Sequence, residues 1–261
     1  MKIIRAAMLG DVVGEAGLKA LEDSLPALIK SENIDFTVVN GENAADGFGM
    51  TETDYNRITA AGADVVTSGN HVWEKRDFWT VLDSKKNMLR PANYSAKSQV
   101  PGTGYTLIKK NDFKWLVINL QGRELISVVD CPFQCFDFVV EKLAESSALI
   151  LVDFHAESTR EKEALAYYID GRASLIAGTH THIQTADERI LPKGSAYITD
   201  LGMTGITKSV IGMDSKICYD RFTKQVQYQM KPAVSEEPGG IHGVIAEIDA
   251  DTGRAVSIKR F

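Results

Sequence analysis

The chain predicts an α/β fold: βαβ units building a largely parallel sheet, followed by a strand-rich end with antiparallel pairing. Two observations carry this. Apolar, β-branched runs alternate with amphipathic stretches of helical period as far as residue 178, and beyond it helical periodicity becomes scarce.

In order, "KIIRAAML" reads as a strand before a helix over 15–31, "DFTVVN" as a strand before a helix over 51–61, and "ADVVTS" as a strand before a helix over 74–83. A second group follows: "FKWLVINL" (113–120), a helix over 132–146, "ALILVDF" (148–154), a helix over 158–170, and "ASLIAG" (173–178). The remainder, "SAYITD" (195–200), "KICYDRF", "IHGVIAEIDA" and "RAVSIKRF", reads as strands joined by Gly, Asp and Pro turns. No linker, repeat or low-complexity tract divides the chain, and "SEEPGG" (235–240) is an ordinary polar loop, so residues 1–261 are expected to form one domain.

Composition narrows the functional classes. A net charge of −6 without any Lys/Arg run argues against long nucleic acid as the primary ligand. Cys131, Cys135 and Cys218 are odd in number and lack zinc-ribbon or disulfide spacing, which fits reduced thiols in a cytoplasm. The first apolar stretch reaches Asp11 too early for a signal peptide or a membrane span, so no membrane partner is expected.

In an open α/β sheet the ligand site lies beyond the carboxyl ends of the strands. Those positions hold Asp11 in "GD", Glu42 and Asn43 in "NGEN", Asn70 and His71 in "SGNH", His155 in "DFHAE", and His180 and His182 in "GTHTH". Singly, each has an ordinary reading as a turn, cap or core residue. Jointly, four of the five histidines and two acids fall on the expected rim of one sheet. In an extended segment His180 and His182 would project to one side with period two. Imidazole, carboxylate and amide donors without cysteine suit Mn²⁺, Fe or Zn²⁺.

Seven donors exceed one four-coordinate ion, whereas two metals sharing a carboxylate would use them. Such a pair, ~3.5–4 Å apart, stabilises the attacking and leaving oxygens of an in-line displacement at phosphorus, with a hydroxide between the metals as nucleophile. If Asn70 is a ligand, the neighbouring His71 faces the substrate and can protonate a departing alkoxide.

These motifs resemble those of the calcineurin-like metallophosphoesterases, whose signature runs Asp-x-His, Gly-Asp, Gly-Asn-His, a lone His and Gly-His-x-His. The chain departs from it: "GDVVG" lacks the first histidine, "GEN" replaces Gly-Asp, and "GTHTH" replaces Gly-His-x-His. The departures are similar to the YmdB branch, which resembles bacterial 2′,3′-cyclic nucleotide phosphodiesterases, and the likeness runs through "YYIDGRASLIAGTHTHIQTADERILPKGSAYITDLGMTG" to "IHGV". It implies an αββα sandwich of two mixed sheets flanked by helices. It also implies Asp11, Glu42, Asn43, Asn70, His155, His180 and His182 as ligands, Glu42 bridging, and His71 as catalytic acid. Homo-oligomers are common in such families, although the chain carries no interface signal.

Other residues keep two readings. Asp153 and Glu157 flank His155 either as acceptors fixing an imidazole tautomer or as caps of the next helix. Asp200 precedes the glycine-containing loop "LGMTG", either bordering substrate or forming a tight turn, and His242 reads as structural. "AADGFGM" (44–50) is either a lip whose Phe48 meets a base or an exposed turn. The expected function is metal-dependent hydrolysis of a small phosphodiester, foremost a 2′,3′-cyclic nucleotide. Two rivals are an amidohydrolase-type barrel, which also uses a His-x-His strand, and a metal-stabilised protein that senses a nucleotide or RNA with little turnover.

Overall fold

The computed structural model describes residues 2–95, 98–143 and 148–261. Strand β1 (Ile3–Leu9) runs through β2 (Asp11–Val12) into helix α1 (Gly14–Glu32), followed by β3 (Phe36–Asn40), α2 (Glu52–Ala60), β4 (Val65–Thr67) and, after a 3₁₀ turn, α3 (Trp79–Ser84). The second series is β5 (Tyr105–Lys110), β6 (Phe113–Gln121), α4 (Pro132–Leu143), β7 (Ala148–His155), α5 (Thr159–Ile169) and β8 (Leu175–Thr179). The chain ends with β9 (Arg189–Ile190), β10 (Ala196–Ile198), β11 (Met203–Thr204), α6 (Ser215–Lys224), β12 (Gly243–Asp249) and β13 (Ala255–Arg260).

Helix starts follow local chemistry. Thr51 and Asp54 form a reciprocal capping box on α2, and the Ser158 side chain accepts the Glu161 N–H at the start of α5. α1 stops where Asn33 turns left-handed, a conformation that Asn tolerates better than most residues.

Two main sheets form instead of the one read from the strand ends, with β2 and β11 paired in parallel as a separate two-stranded sheet. The first has the order β13-β12-β1-β3-β4, with β1, β3 and β4 parallel and β12 and β13 antiparallel. The second has the order β5-β6-β7-β8-β10-β9, with β6 to β10 parallel through β7 and β8. Each central strand is apolar on both faces, as strands covered on both sides must be. Met8, Phe36, Val38 and Val65 of the first sheet meet Trp115, Val117, Leu151 and Ala177 of the second in a shared core. There Phe36 stacks on Trp115 at 4.6 Å, a geometry contributing ~0.5–1.5 kcal/mol beyond area burial.

Leu18, Leu21 and Ile58 of α1 and α2 cover the outer face of the first sheet, while Phe136, Leu165 and Ile169 of α4 and α5 cover that of the second. This is the αββα sandwich that the resemblance implies. Both sheets are open, so the amidohydrolase-type barrel is excluded.

Two further readings change. "KICYDRF" is helix α6, because Asp214 caps it through Ile217 N at 2.8 Å, while its alternating Ile217 and Tyr219 imitate a strand. The strand read in "SAYITD" pairs parallel to β8 as well as antiparallel to β9. The carboxyl-terminal part of the helix read over 132–146 lies partly outside the described residues, with α4 ending at Leu143. Among the described residues no helix is long and apolar enough to cross a membrane.

Candidate metal centre

The carboxyl ends of the parallel strands in both sheets open on one edge, where Asp11, Glu42, Asn70, His155 and His180 of the residues read from the sequence come together. Four side-chain atoms converge there. His155 Nε2 lies 2.8 Å from Glu42 Oε2, 3.1 Å from Asn70 Oδ1 and 3.0 Å from His180 Nδ1. Glu42 and His155 are 1% and 0% exposed.

The hydrogen positions make this contact unusual. His155 Nδ1 faces the Thr179 hydroxyl at 3.0 Å, and His180 Nε2 faces Glu157 Oε2 at 3.3 Å. With the ring N–H groups assigned to those partners, both inward nitrogens present lone pairs. Glu42 Oε2 receives no hydrogen bond despite its proximity to His155, and the pair is therefore read as two acceptors rather than a salt bridge. Lone pairs alone, buried and this close, repel unless a cation lies between them.

Asp11, Glu42 and His155 each bring a ligand atom within 4.8 Å of the others. Asp11 Oδ2 accepts the His180 N–H at 3.2 Å, while Asp11 Oδ1 and Asn43 Oδ1 are buried without a donor. Asn43 is held by its amide nitrogen on Gly47 O at 2.9 Å. His182 faces Ile211 O at 2.8 Å through Nδ1, leaving Nε2 as its lone-pair nitrogen. Three orphaned oxygens beside imidazoles and no thiolate make a donor set that fits hard or borderline divalent metals.

Local backbone explains the convergence. Gly69 passes so close to the cluster that a Cβ there would sit 1.8 Å from Glu42 Oε2 and 2.2 Å from His155 Cδ2. His180 and His182 both adopt positive φ, 102° and 64°, just beyond β8, so the pair is set by two left-handed turns and not by strand period. Left-handed residues at functional rims store strain that the surroundings must hold.

Electrostatics follow burial. Desolvation pushes the Asp11 and Glu42 carboxyls up to about 7 against the attraction of His155 and His71 respectively. It pushes His155 and His180 down to about 3, so both rings are neutral. Asp153, buried behind His155, is also raised to about 7 by burial, against three hydrogen-bond donors.

His71 stands at the mouth, its side chain 27% exposed, with its N–H on Glu42 Oε1 at 3.0 Å and its Nδ1 3.3 Å from Glu74 Oε1. Phe48 meets the His71 ring edge-on at 5.0 Å and is half-buried, so it is not an exposed turn residue. It also borders a neighbouring cleft of about 840 Å³ lined by Lys19, Lys75, Met230 and Pro232, and the polar cluster lies outside that cleft. Glu157 serves His180 rather than His155, and Ser158 supplies the helix cap. His242 holds Met203 O at 2.7 Å, a structural contact.

Sequence reading missed Lys162, which is 1% exposed and meets Asp200 Oδ2 at 2.7 Å. Asp200 also accepts Thr181 N between the two histidines at 3.2 Å, so it anchors the His180–His182 turn. Lys162 lay in an ordinary helical pattern, and only its burial distinguishes it.

A family model described as "YmdB-like protein" matches residues 7–261. The chain is 44% identical over 257 residues to the 2′,3′-cyclic-nucleotide 2′-phosphodiesterase of Bacillus subtilis (strain 168), covering 98% of this chain and 96% of that one. A solved phosphatase from Mycoplasma pneumoniae superposes with a TM-score of 0.91 at 34% identity, over 100% of this chain and 93% of the other. A 5′-nucleotidase precursor from Thermus thermophilus, 12% identical with a TM-score of 0.63, covers 99% of this chain and 54% of its own and shares the fold.

Proposed function

The chain belongs to the YmdB-like family, and from that premise we propose that it hydrolyses small phosphodiesters, foremost 2′,3′-cyclic nucleotides, at a dinuclear metal site. The observation that carries the reading is the meeting of Glu42 Oε2, Asn70 Oδ1 and His180 Nδ1 on the buried His155 Nε2. Glu42, Asn70, His155 and His180 would hold one ion, and Asp11, Asn43 and His182 the other, with Glu42 shared. Bound there, Mn²⁺, Fe or Zn²⁺ supplies Lewis-acid stabilisation of phosphoryl oxygens and lowers the pKa of a water.

The chain's own groups do the rest. Glu42 turns Oε2 into the cluster and uses Oε1 to hold the His71 backbone, which ties the candidate proton donor to the centre. Glu74 faces His71 Nδ1, so Nε2 is the nitrogen left to carry a proton to the departing ribose oxygen. Phe48 restricts the ring's rotation from one side. That both sheets contribute residues to the site supports reading 1–261 as one domain. The net charge of −6 favours a mononucleotide over a long nucleic acid.

The test is hydrolysis of 2′,3′-cyclic AMP and an activated aryl phosphodiester by Mn²⁺-loaded wild type and His71→Ala, with metal content measured for both. The reading expects turnover by wild type and a loss of ~10² or more in kcat for the variant at unchanged metal content. A fully loaded wild type inactive on both substrates would leave a sensing protein as the better account.

A further inference from the structure

Behind His155 lies a second buried polar group whose hydrogen bonds are complete. Asp153, 1% exposed, accepts the Thr179 hydroxyl on Oδ1 at 2.7 Å, and on Oδ2 it accepts Asn40 Nδ2 at 2.9 Å and the Thr67 hydroxyl. Thr179 has one hydroxyl hydrogen. With that hydrogen given to Asp153, its oxygen is left to accept from His155 Nδ1 at 3.0 Å.

We propose that Asp153 is a positioning residue that, through the Thr179 hydroxyl, holds His155 in the tautomer whose Nε2 lone pair faces the ligand cluster, and that its other oxygen fixes the ends of β3 and β4, which lead into Glu42, Asn43 and Asn70. The inference rests on the metal-centre reading above. Asn40 ends β3, and its Oδ1 accepts Glu42 N at 3.0 Å. Thr67 ends β4, three residues before Asn70, and Thr179 ends β8 directly before His180. Asp153 itself lies two residues before His155 on β7. One carboxylate therefore ties four strand ends from the two main sheets.

The geometry calls for a carboxylate at this position. Its two oxygens meet three side-chain donors, whereas an asparagine would turn one N–H₂ group toward another donor. Freed from Asp153, the Thr179 hydroxyl would rotate and offer its hydrogen to His155 Nδ1, which selects the Nε2–H tautomer. That tautomer points a hydrogen at the place where a cation belongs. In such sites the groups behind the ligating histidines typically contribute 10–100-fold in metal affinity.

The test uses Thr179→Val, Thr179→Ser and Asp153→Asn in the full chain at pH 8. In metal-free protein labelled with ¹⁵N-histidine, two-bond ¹H–¹⁵N correlations read the His155 tautomer. Mn²⁺ titration then reads affinity. Wild type and Thr179→Ser are expected to carry the proton on Nδ1. Thr179→Val and Asp153→Asn are expected to shift His155 toward Nε2–H and to lose ~10–100-fold in Mn²⁺ affinity. A Thr179→Val protein with the wild-type tautomer and wild-type affinity would overturn the proposal. Should Asp153→Asn not fold, Thr179→Val decides alone, since it leaves Asp153 its Asn40 and Thr67 partners. Wild type that binds no Mn²⁺ would defeat the metal reading instead, and the metal-free tautomer comparison would still decide the positioning claim.

Discussion

Two polar groups share His155, and their carboxylates Asp153 and Glu42 are equally buried, yet their hydrogen-bond accounts are opposite. On the Nδ1 side, Asp153 has a donor for each of its oxygens. On the Nε2 side, Glu42 Oε2, Asn70 Oδ1 and His180 Nδ1 crowd one nitrogen that can pair with at most one of them, and Asp11 and Asn43 add orphaned oxygens. Burying an unpaired polar group costs ~1–3 kcal/mol, so a cluster of them persists only where something else completes it. Burial alone is therefore a poor guide to function. The useful signal is a buried group whose partners all have the same polarity.

The contrast is broken most severely by removing what completes the open group. Chelation by EDTA is expected to bring phosphodiester turnover to background, with recovery on adding Mn²⁺, as followed by product release. Next in size is His71→Ala, with an expected loss of ~10²–10⁴ in kcat and no change in bound metal, since it touches neither buried account. Lys162→Met attacks a group that is complete: it strands the Asp200 charge among buried atoms and is expected to cost ~3–5 kcal/mol, read as a lowered urea midpoint.

A smaller effect comes from pH. In the metal-free protein Asp11 and Glu42 are raised from 3.8 and 4.5 to about 7. The stability linked to their protonation is full below the ordinary values and is lost as pH rises through about 7. A metal must displace those protons, so affinity is expected to rise by ~10-fold or more between pH 6 and pH 8, with proton release visible by calorimetry in buffers of different ionisation enthalpy. His155 and His180, lowered to about 3, exchange no protons in this range. The smallest effect belongs to the surface. Arg57 bridges Glu15 and Glu22 at 2.6 and 2.7 Å with a quarter of its side chain exposed, and Arg57→Ala is expected to cost no more than ~1 kcal/mol in urea unfolding.

The rim residues were legible because they sit just after apolar runs such as "FTVVN" and "LIAGT", whose composition declares central parallel strands. The division into two sheets was not legible from those runs, since periodicity says which residues form strands and nothing about which strands pair. α6 was misread because Ile217 and Tyr219 alternate around Cys218, although the Asp214 cap was present in the sequence. The left-handed turns at His180 and His182 carry no glycine to announce them. Thr179, Thr67, Asn40 and Lys162 are common residue types in ordinary patterns, and their roles arise only when two sheets bring them to one place.

The most direct test is the rate of 2′,3′-cyclic AMP hydrolysis by metal-stripped protein as Mn²⁺ is added back, plotted against metal bound per chain. The account predicts a rate that climbs with occupancy and levels off at two ions. Turnover that is unchanged in stripped protein, or absent from protein holding both ions, would contradict it.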